Sequence, residues 1–554
     1  MSPFWFLLWS SFLSLTWLLP PLFSPWSTFP SDTWMALITL TGAIALVIRG
    51  RGTTAWHRLT CLVAGIVLLP WLQWWCGLLP YTGQAWISSA YLFGFLLALL
   101  VGARWELSSP KQLMHGLLLA IGIAALLSVG LQLSAWLGLA ADGGLLTRSR
   151  PSANLGQPNQ LATLLLWGIL ACLWAYLHKL LSAATTILAV SFLLLGLAMT
   201  QSRAGMMALS GMLLAIWVWR RLWPCRRLPL AATGMYALYF AYAPLLGWLN
   251  GVLFARQESM YLVITRQGDQ RWNVLKMLGS AVLERPLFGY GWTDVASIQS
   301  AFANRFPSLG SVFKSSHNLF LDLLLWCGIP IGVLVITSLI WWFWSAIRAV
   351  RQSEDAVLVL FLGVIGIHAL VEFPLLYSYF LIPVGLVMGI LNIRLEKPII
   401  GVTPRWSLMF LVIAATLALS VTAHDYLQVD ESYTNLRLEQ SLLGQGREPM
   451  GQAPEVLVLT QLREWIRLAR YMPHPNMSRR ELDELEAIAT AYPSAALAYD
   501  VAKAFALNDQ PGKAETWRAK ICKLTNEDEC RRAKASWKRA EAKNPRIAAV
   551  QWQN

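Results

Sequence analysis

Runs of about 20 apolar residues recur through the first 423 positions of this chain, and that recurrence limits what it can fold into. A large water-soluble core is excluded, because such runs return too often. Hydrophobic residues make up 56%, charged residues only 13%, and mean hydropathy is +0.50. The expected fold is all-α, a polytopic transmembrane helical bundle. About 13 spans are expected, at residues 4–23, 33–48, 59–79, 85–103, 113–138, 159–177, 181–200, 204–219, 229–248, 318–346, 356–371, 378–393 and 406–423. The apolar stretch Phe4–Leu19 has no basic residue before it and many spans after it, so it reads as a retained first helix rather than a cleaved signal.

Charge divides the chain. Residues 424–554 hold 18 of the 30 acids and 19 of the 44 bases, so this tail nets +1 and the apolar front +13. Two domains follow: 1–423 in the membrane, with a long loop at about 250–316, and a soluble helical tail over 424–554. Neither invites a nucleic-acid partner; the bilayer is the expected surroundings.

Basic residues on alternate connections set the orientation. Arg49, Arg51 and Arg58; Arg104 and Lys111; Lys179; Arg220, Arg221, Arg226 and Arg227; Arg348 and Arg351; and Arg394, Lys397 and Arg405 mark six connections as cytoplasmic. An odd number of spans then puts the tail in the periplasm of a bacterial inner membrane. The ten remaining front-half bases fall on the opposite side: Arg148, Arg150, Arg203, Arg256, Arg266, Arg271, Lys276, Arg285, Arg305 and Lys314. Eight are arginines, a residue suited to planar recognition of phosphate, although loop charge can also be merely solvated.

Four polar constellations lie on that side. The segment 148–160 carries Arg148 and Arg150 with the amides Asn154, Gln157, Asn159 and Gln160, which either bind sugar and phosphate or cap the next helix. Arg203 sits in a tight break between two spans, costly unless it is paired, snorkelling or in use. The loop holds Arg266 and Arg271 near Asp269, then a shaped turn at Pro286, Gly289 and Gly291. His317 opens a long apolar helix, where an imidazole can take a proton; Asp322, about 140° around that helix, is no obvious partner. His368 and Glu372 share a face at i, i+4 without further metal ligands, so no metal is expected. Tyr377 and Tyr379 follow at a membrane face, where aromatic anchors are routine.

Pro286-Leu-Phe-Gly-Tyr-Gly291 followed by Ser316-His-Asn318 resembles the O-antigen ligase and polymerase superfamily of bacterial membrane glycosyltransferases. Asn154-Leu-Gly-Gln-Pro-Asn-Gln-Leu-Ala162, and His368-Ala-Leu-Val-Glu-Phe-Pro374 with Tyr377 and Tyr379, are similar to the narrower PglL-type O-linked protein oligosaccharyltransferases. The resemblance implies en bloc transfer of a glycan from undecaprenyl pyrophosphate to Ser or Thr of a periplasmic acceptor such as a pilin. It implies inversion at the anomeric carbon, with no metal, nucleotide or other cofactor. It places His317 as base and Arg203, Arg266 and Arg271, with Arg148 and Arg150 nearby, on the pyrophosphate. Asn154, Gln157, Asn159, Gln160, Glu372, Tyr377 and Tyr379 would face donor or acceptor.

Within the same class the alternatives are an O-antigen ligase onto lipid A-core or a polymerase; outside it, a flippase or transporter of lipid-linked sugars. In the tail, residues 480–543 read as helices broken at Pro493 and at Asn508-Asp-Gln-Pro-Gly512, similar to a tetratricopeptide-like pair. Cys522 and Cys530 can form a disulfide if the tail is periplasmic, which their spacing alone leaves open.

Overall fold

The computed structural model describes residues 3–21, 24–49, 52–139, 150–254, 268–440 and 453–550. Its helices run α1 (Pro3–Ser14), α2 (Phe29–Arg49), α3 (Arg58–Val67), α4 (Leu69–Trp75), α5 (Thr82–Ser108), α6 (Gln112–Trp136), α7 (Pro158–Leu177), α8 (Ala183–Thr200), α9 (Arg203–Val218) and α10 (Leu228–Phe254). They continue as α11 (Gly268–Glu284), α12 (Val295–Phe302), α13 (Leu319–Ala349), α14 (Ser353–Ala369), α15 (Ser378–Arg394) and α16 (Arg405–Gln440). The tail adds α17 (Thr460–Ala469), α18 (Arg479–Ala491), α19 (Ala495–Leu507), α20 (Pro511–Ile521), α21 (Glu527–Glu541) and α22 (Pro545–Ala548).

Each expected span is helical. Among the described residues nine helical stretches are long and apolar enough to cross a membrane. The remaining four expected spans are shorter helices: Phe4–Trp17, α9, α14 and α15. The protein is thus an all-α, multi-pass membrane protein.

The chain forms two compact units: residues 1–66, 90–264 and 337–419 in the first, and 67–89, 265–336 and 420–554 in the second. In the first unit α7 is the hub, packed against α6, α8, α9 and α14. Small residues admit this crowding: a Cβ on Gly168 would stand 2.5 Å from the Ala125 methyl. Trp167, fully buried in α7, stacks on Phe361 with ring centroids 3.9 Å apart and donates its indole N–H to the Phe361 carbonyl at 2.9 Å.

At one end of this unit, side chains from four connections meet. Arg394 pairs with Glu106, Glu354 and Asp355 at 3.3, 2.9 and 2.6 Å. Lys111 and His178 reach Glu354 at 2.8 and 3.2 Å. Two strands, β1 (Thr54–His57) and β2 (Ile399–Thr403), pair antiparallel with Thr54 opposite Thr403.

In the second unit the described part of the expected long loop, from residue 268 on, carries two helices, α11 and α12. The reason is periodicity: Val274, Met277, Leu278, Ala281 and Val282 recur at helical spacing and all are buried. Such an amphipathic helix is invisible to a search for continuous apolar runs. The tail core gathers Leu485, Ile488, Val501, Phe505, Trp517, Ile521 and Trp537. Ser478 and Glu481 form a capping box that starts α18, and the turn at Asn508–Gln510 separates α19 from α20.

Cys522 and Cys530 are disulfide-bonded, with Cα atoms 4.8 Å apart, joining the end of α20 to the first turn of α21. Replacing both by serine is expected to destabilise the tail by about 2–3 kcal/mol, from the chain entropy of so short a loop. Unfolding of the full-length protein with and without reductant measures this; equal midpoints would refute it.

Candidate functional site

The polar turn ahead of α7 is shaped by Gly156, at φ +69°, and by Pro158 in the first turn of the helix. Its amides are put to unequal uses. Asn159 donates to Glu372 Oε1 at 3.0 Å and accepts from the Ser202 hydroxyl at 2.7 Å. Ser202 in turn accepts the Gly205 N–H at 3.0 Å and caps α9. One amide therefore ties α7 to α9 and to the segment after α14. Gln160 accepts from the Tyr379 hydroxyl at 2.8 Å, and His368 Nδ1 shares a 2.7 Å hydrogen bond with Thr163 Oγ1. Asn154 donates to the Leu18 carbonyl, while the half-buried Gln157 side chain makes no hydrogen bond among the described residues.

The tyrosines differ from surface anchors. Tyr379 is 1% exposed and locked onto Gln160, and the half-buried Tyr377 stacks against it at 5.3 Å. Asp32 backs this corner, accepting from the Ser378 N–H at 2.7 Å and the Tyr91 hydroxyl at 2.9 Å.

Two arginines in this unit have distinct fates. Arg150 donates through Nε to the Thr200 carbonyl at 2.9 Å and through a terminal nitrogen to the Gln201 carbonyl at 3.2 Å. It closes the C-terminal end of α8, where Gln201 adopts φ +49° and a cation suits the helix dipole. Burial holds Arg150 below the ordinary arginine value; Glu372 opposes that shift and like-charged Arg203 adds to it. Arg203 is the first residue of α9 and exposed, and it makes no hydrogen bond or ion pair among the described residues. A cation there opposes the helix dipole, so fold stability does not explain it.

Arg148 and Arg266 lie outside the described residues; Arg271 falls in the first turn of α11. Among the described residues no three His, Cys, Asp or Glu side chains gather as metal ligands.

The second unit carries His317. It does not open α13; Asn318 does, its Oδ1 accepting the N–H groups of Phe320 and Leu321 at 3.0 Å each. His317 immediately precedes that cap at φ +59°, half-buried, its ring edge-on to Phe313 with centroids 5.6 Å apart. Asp322 does hold the motif, accepting from the Ser315 hydroxyl at 2.6 Å and the Ser316 N–H at 2.7 Å. Ser315 then accepts the His317 N–H at 3.0 Å. The helical-wheel angle misjudged this residue because the segment it grips lies ahead of the helix.

The glycine turn is built into α13. That helix breaks at Gly328, φ +76°, and the carbonyls of Leu325 and Trp326, freed by the break, accept from Tyr290 N at 2.8 Å and Gly291 N at 3.3 Å. Gln73 completes the joint, donating to the Trp326 carbonyl at 2.7 Å and accepting from Trp292 N at 2.9 Å. A Cβ on Gly328 would stand 2.4 Å from the Leu287 carbonyl oxygen, so Gly328→Ala is expected to cost about 1–3 kcal/mol in backbone strain alone. Its melting temperature in detergent checks this; a wild-type value would contradict it.

Three family models match. Residues 151–177 match the protein glycosylation ligase model, 188–337 the O-antigen ligase model, and 356–540 the C-terminal region of virulence factor membrane-bound polymerases. A general O-oligosaccharyltransferase of Acinetobacter baylyi is 27% identical over 507 residues, 86% of this chain and 84% of the relative. A ComP-specific O-oligosaccharyltransferase of the same organism is 32% identical over 248 residues, 44% of each chain. These matches run through the amide turn, His317 and the Glu372 segment. The chain is thus similar to the O-antigen ligase and protein glycosylation ligase families, and it is a membrane enzyme of glycosyltransferase type.

Proposed function

We propose that this enzyme transfers an oligosaccharide en bloc from undecaprenyl pyrophosphate to Ser or Thr of a pilin-like periplasmic protein at the bacterial inner membrane. The observation that carries the proposal is Arg203, an exposed cation on the positive end of α9 that makes no ion pair or hydrogen bond among the described residues. A pyrophosphate supplies the missing negative charge. Both relatives named above are O-oligosaccharyltransferases, one of them specific for ComP.

In the proposed reaction His317 takes the proton of the acceptor hydroxyl as its oxygen attacks the anomeric carbon. The bond from that carbon to the pyrophosphate oxygen breaks with inversion, and undecaprenyl pyrophosphate leaves with its charge countered by Arg203. Arg271, Arg266 and Arg148 are proposed to assist there. Asn159, Glu372, Gln160 and Tyr379 are proposed to fix the walls rather than the substrate, since each is already engaged. Residues 424–554 are proposed as a periplasmic helical domain, a compartment that suits the Cys522–Cys530 disulfide. The ion-pair cluster at Arg394 and the β1–β2 pairing join five of the six connections assigned to the cytoplasm, which supports giving them one side.

The transporter reading loses support at Gly328. Broken helices in transporters present unwound carbonyls to ions or substrate, whereas those of Leu325 and Trp326 are taken by the chain itself. The test is purified full-length protein with a lipid-linked glycan, a pilin acceptor and lipid A-core. Mass gain on the pilin supports the proposal. Gain on lipid A-core alone would make the enzyme a lipopolysaccharide ligase, and no covalent product with either would return transport.

A further inference from the structure

We propose that Gln299 is a positioning residue for His317, acting through the strap of residues 311–317. The inference rests on the reading of His317 as the base. Gln299 lies in α12 and is 2% exposed, an unusual place for an amide. Both ends of that amide go to the strap: Nε2 donates to the Ser311 carbonyl at 2.7 Å, and Oε1 accepts the Phe313 N–H at 2.8 Å. Only a group that donates and accepts at once can grip a backbone on both sides of Val312. Leaving the buried Gln299 amide unpaired costs more than the bonds themselves contribute, so the strap is fixed where Gln299 holds it.

The grip is transmitted to the imidazole. Phe313, whose N–H Gln299 accepts, packs its ring near-perpendicular to that of His317. Two and three residues beyond Phe313, the strap is held a second time by Asp322 through Ser315 and Ser316. The strap also leaves from a fixed base. Asn304 donates to the Thr516 carbonyl at 3.1 Å, and Ser308 to the Cys522 carbonyl at 3.0 Å. His317 thus hangs from a segment pinned before, within and after Phe313, and Gln299 supplies the middle pin.

Gln299→Met keeps the side-chain length and volume and removes both hydrogen bonds. In full-length enzyme, with a lipid-linked glycan and an acceptor protein, it is expected to lower kcat about tenfold, with both KM values within about twofold. Phe313→Leu is expected to do the same, while Phe313→Tyr, which restores an aromatic edge, stays near wild type. Because both variants act on one imidazole, the double variant should be no slower than the slower single. Wild-type kcat in Gln299→Met would overturn the proposal. So would a multiplicative double variant, or a rate loss that vanishes when normalised to folded protein. If His317→Asn still transfers at the wild-type rate, the base assignment is what fails, and no effect of Gln299 then bears on it.

Discussion

Replacing His317 by asparagine is expected to reduce glycan transfer by roughly 10²- to 10⁴-fold, the usual contribution of a positioned general base. Asparagine is the better choice over alanine for a reason visible in the backbone. His317 sits at φ +59°, a left-handed conformation that asparagine tolerates and alanine resists. The substitution therefore leaves the Ser315–Asp322 grip and the Asn318 cap in place while removing the imidazole. Binding of donor and acceptor should survive, so the loss should appear in kcat with both KM values little changed. His317→Ala is expected to be at least as inactive and to melt lower than the asparagine variant. Full transfer by His317→Asn would remove the residue from the chemistry, whatever its place at the end of the strap.

The spans were legible because a run of 20 apolar residues leaves the chain little choice of environment. The chemistry was less so, and particular residues show why. Arg150 and Arg203 lie in neighbouring polar breaks and look alike as letters, yet one closes α8 and the other engages none of the described residues. What separates them is which helix end each one meets, a tertiary fact. Tyr379 had the position of a membrane-surface anchor but is buried on Gln160, because α15 packs its first turn inward. Asp322 failed a helical-wheel test that did not apply to Ser315 and Ser316. Gln299 gave no signal, since an amide in a short amphipathic helix is usually solvated. The Cys522–Cys530 pair could be suspected from spacing, whereas its bonding depends on how α20 meets α21.

Arg203→Ala is expected to lower kcat/KM for the lipid-linked donor by roughly 10²- to 10³-fold, as when one charge-stabilising group is removed from a leaving-group site. The same change should leave the melting temperature unaltered or slightly higher. The opposite signs follow from one observation: Arg203 occupies the N-terminus of α9, where its charge opposes the helix dipole and no ion pair among the described residues offsets it. A residue that works against its own helix is retained for something outside the fold, and its removal should relieve the protein while disabling it. Lysine should restore charge without the planar fork and recover only part of the rate. Arg150→Ala provides the contrast. It frees the carbonyls of Thr200 and Gln201, so melting temperature and activity should fall together. Should Arg203→Ala melt lower and keep its donor kinetics, the arginine would be an ordinary structural residue, and the pyrophosphate would have to be held by the cations around Arg271.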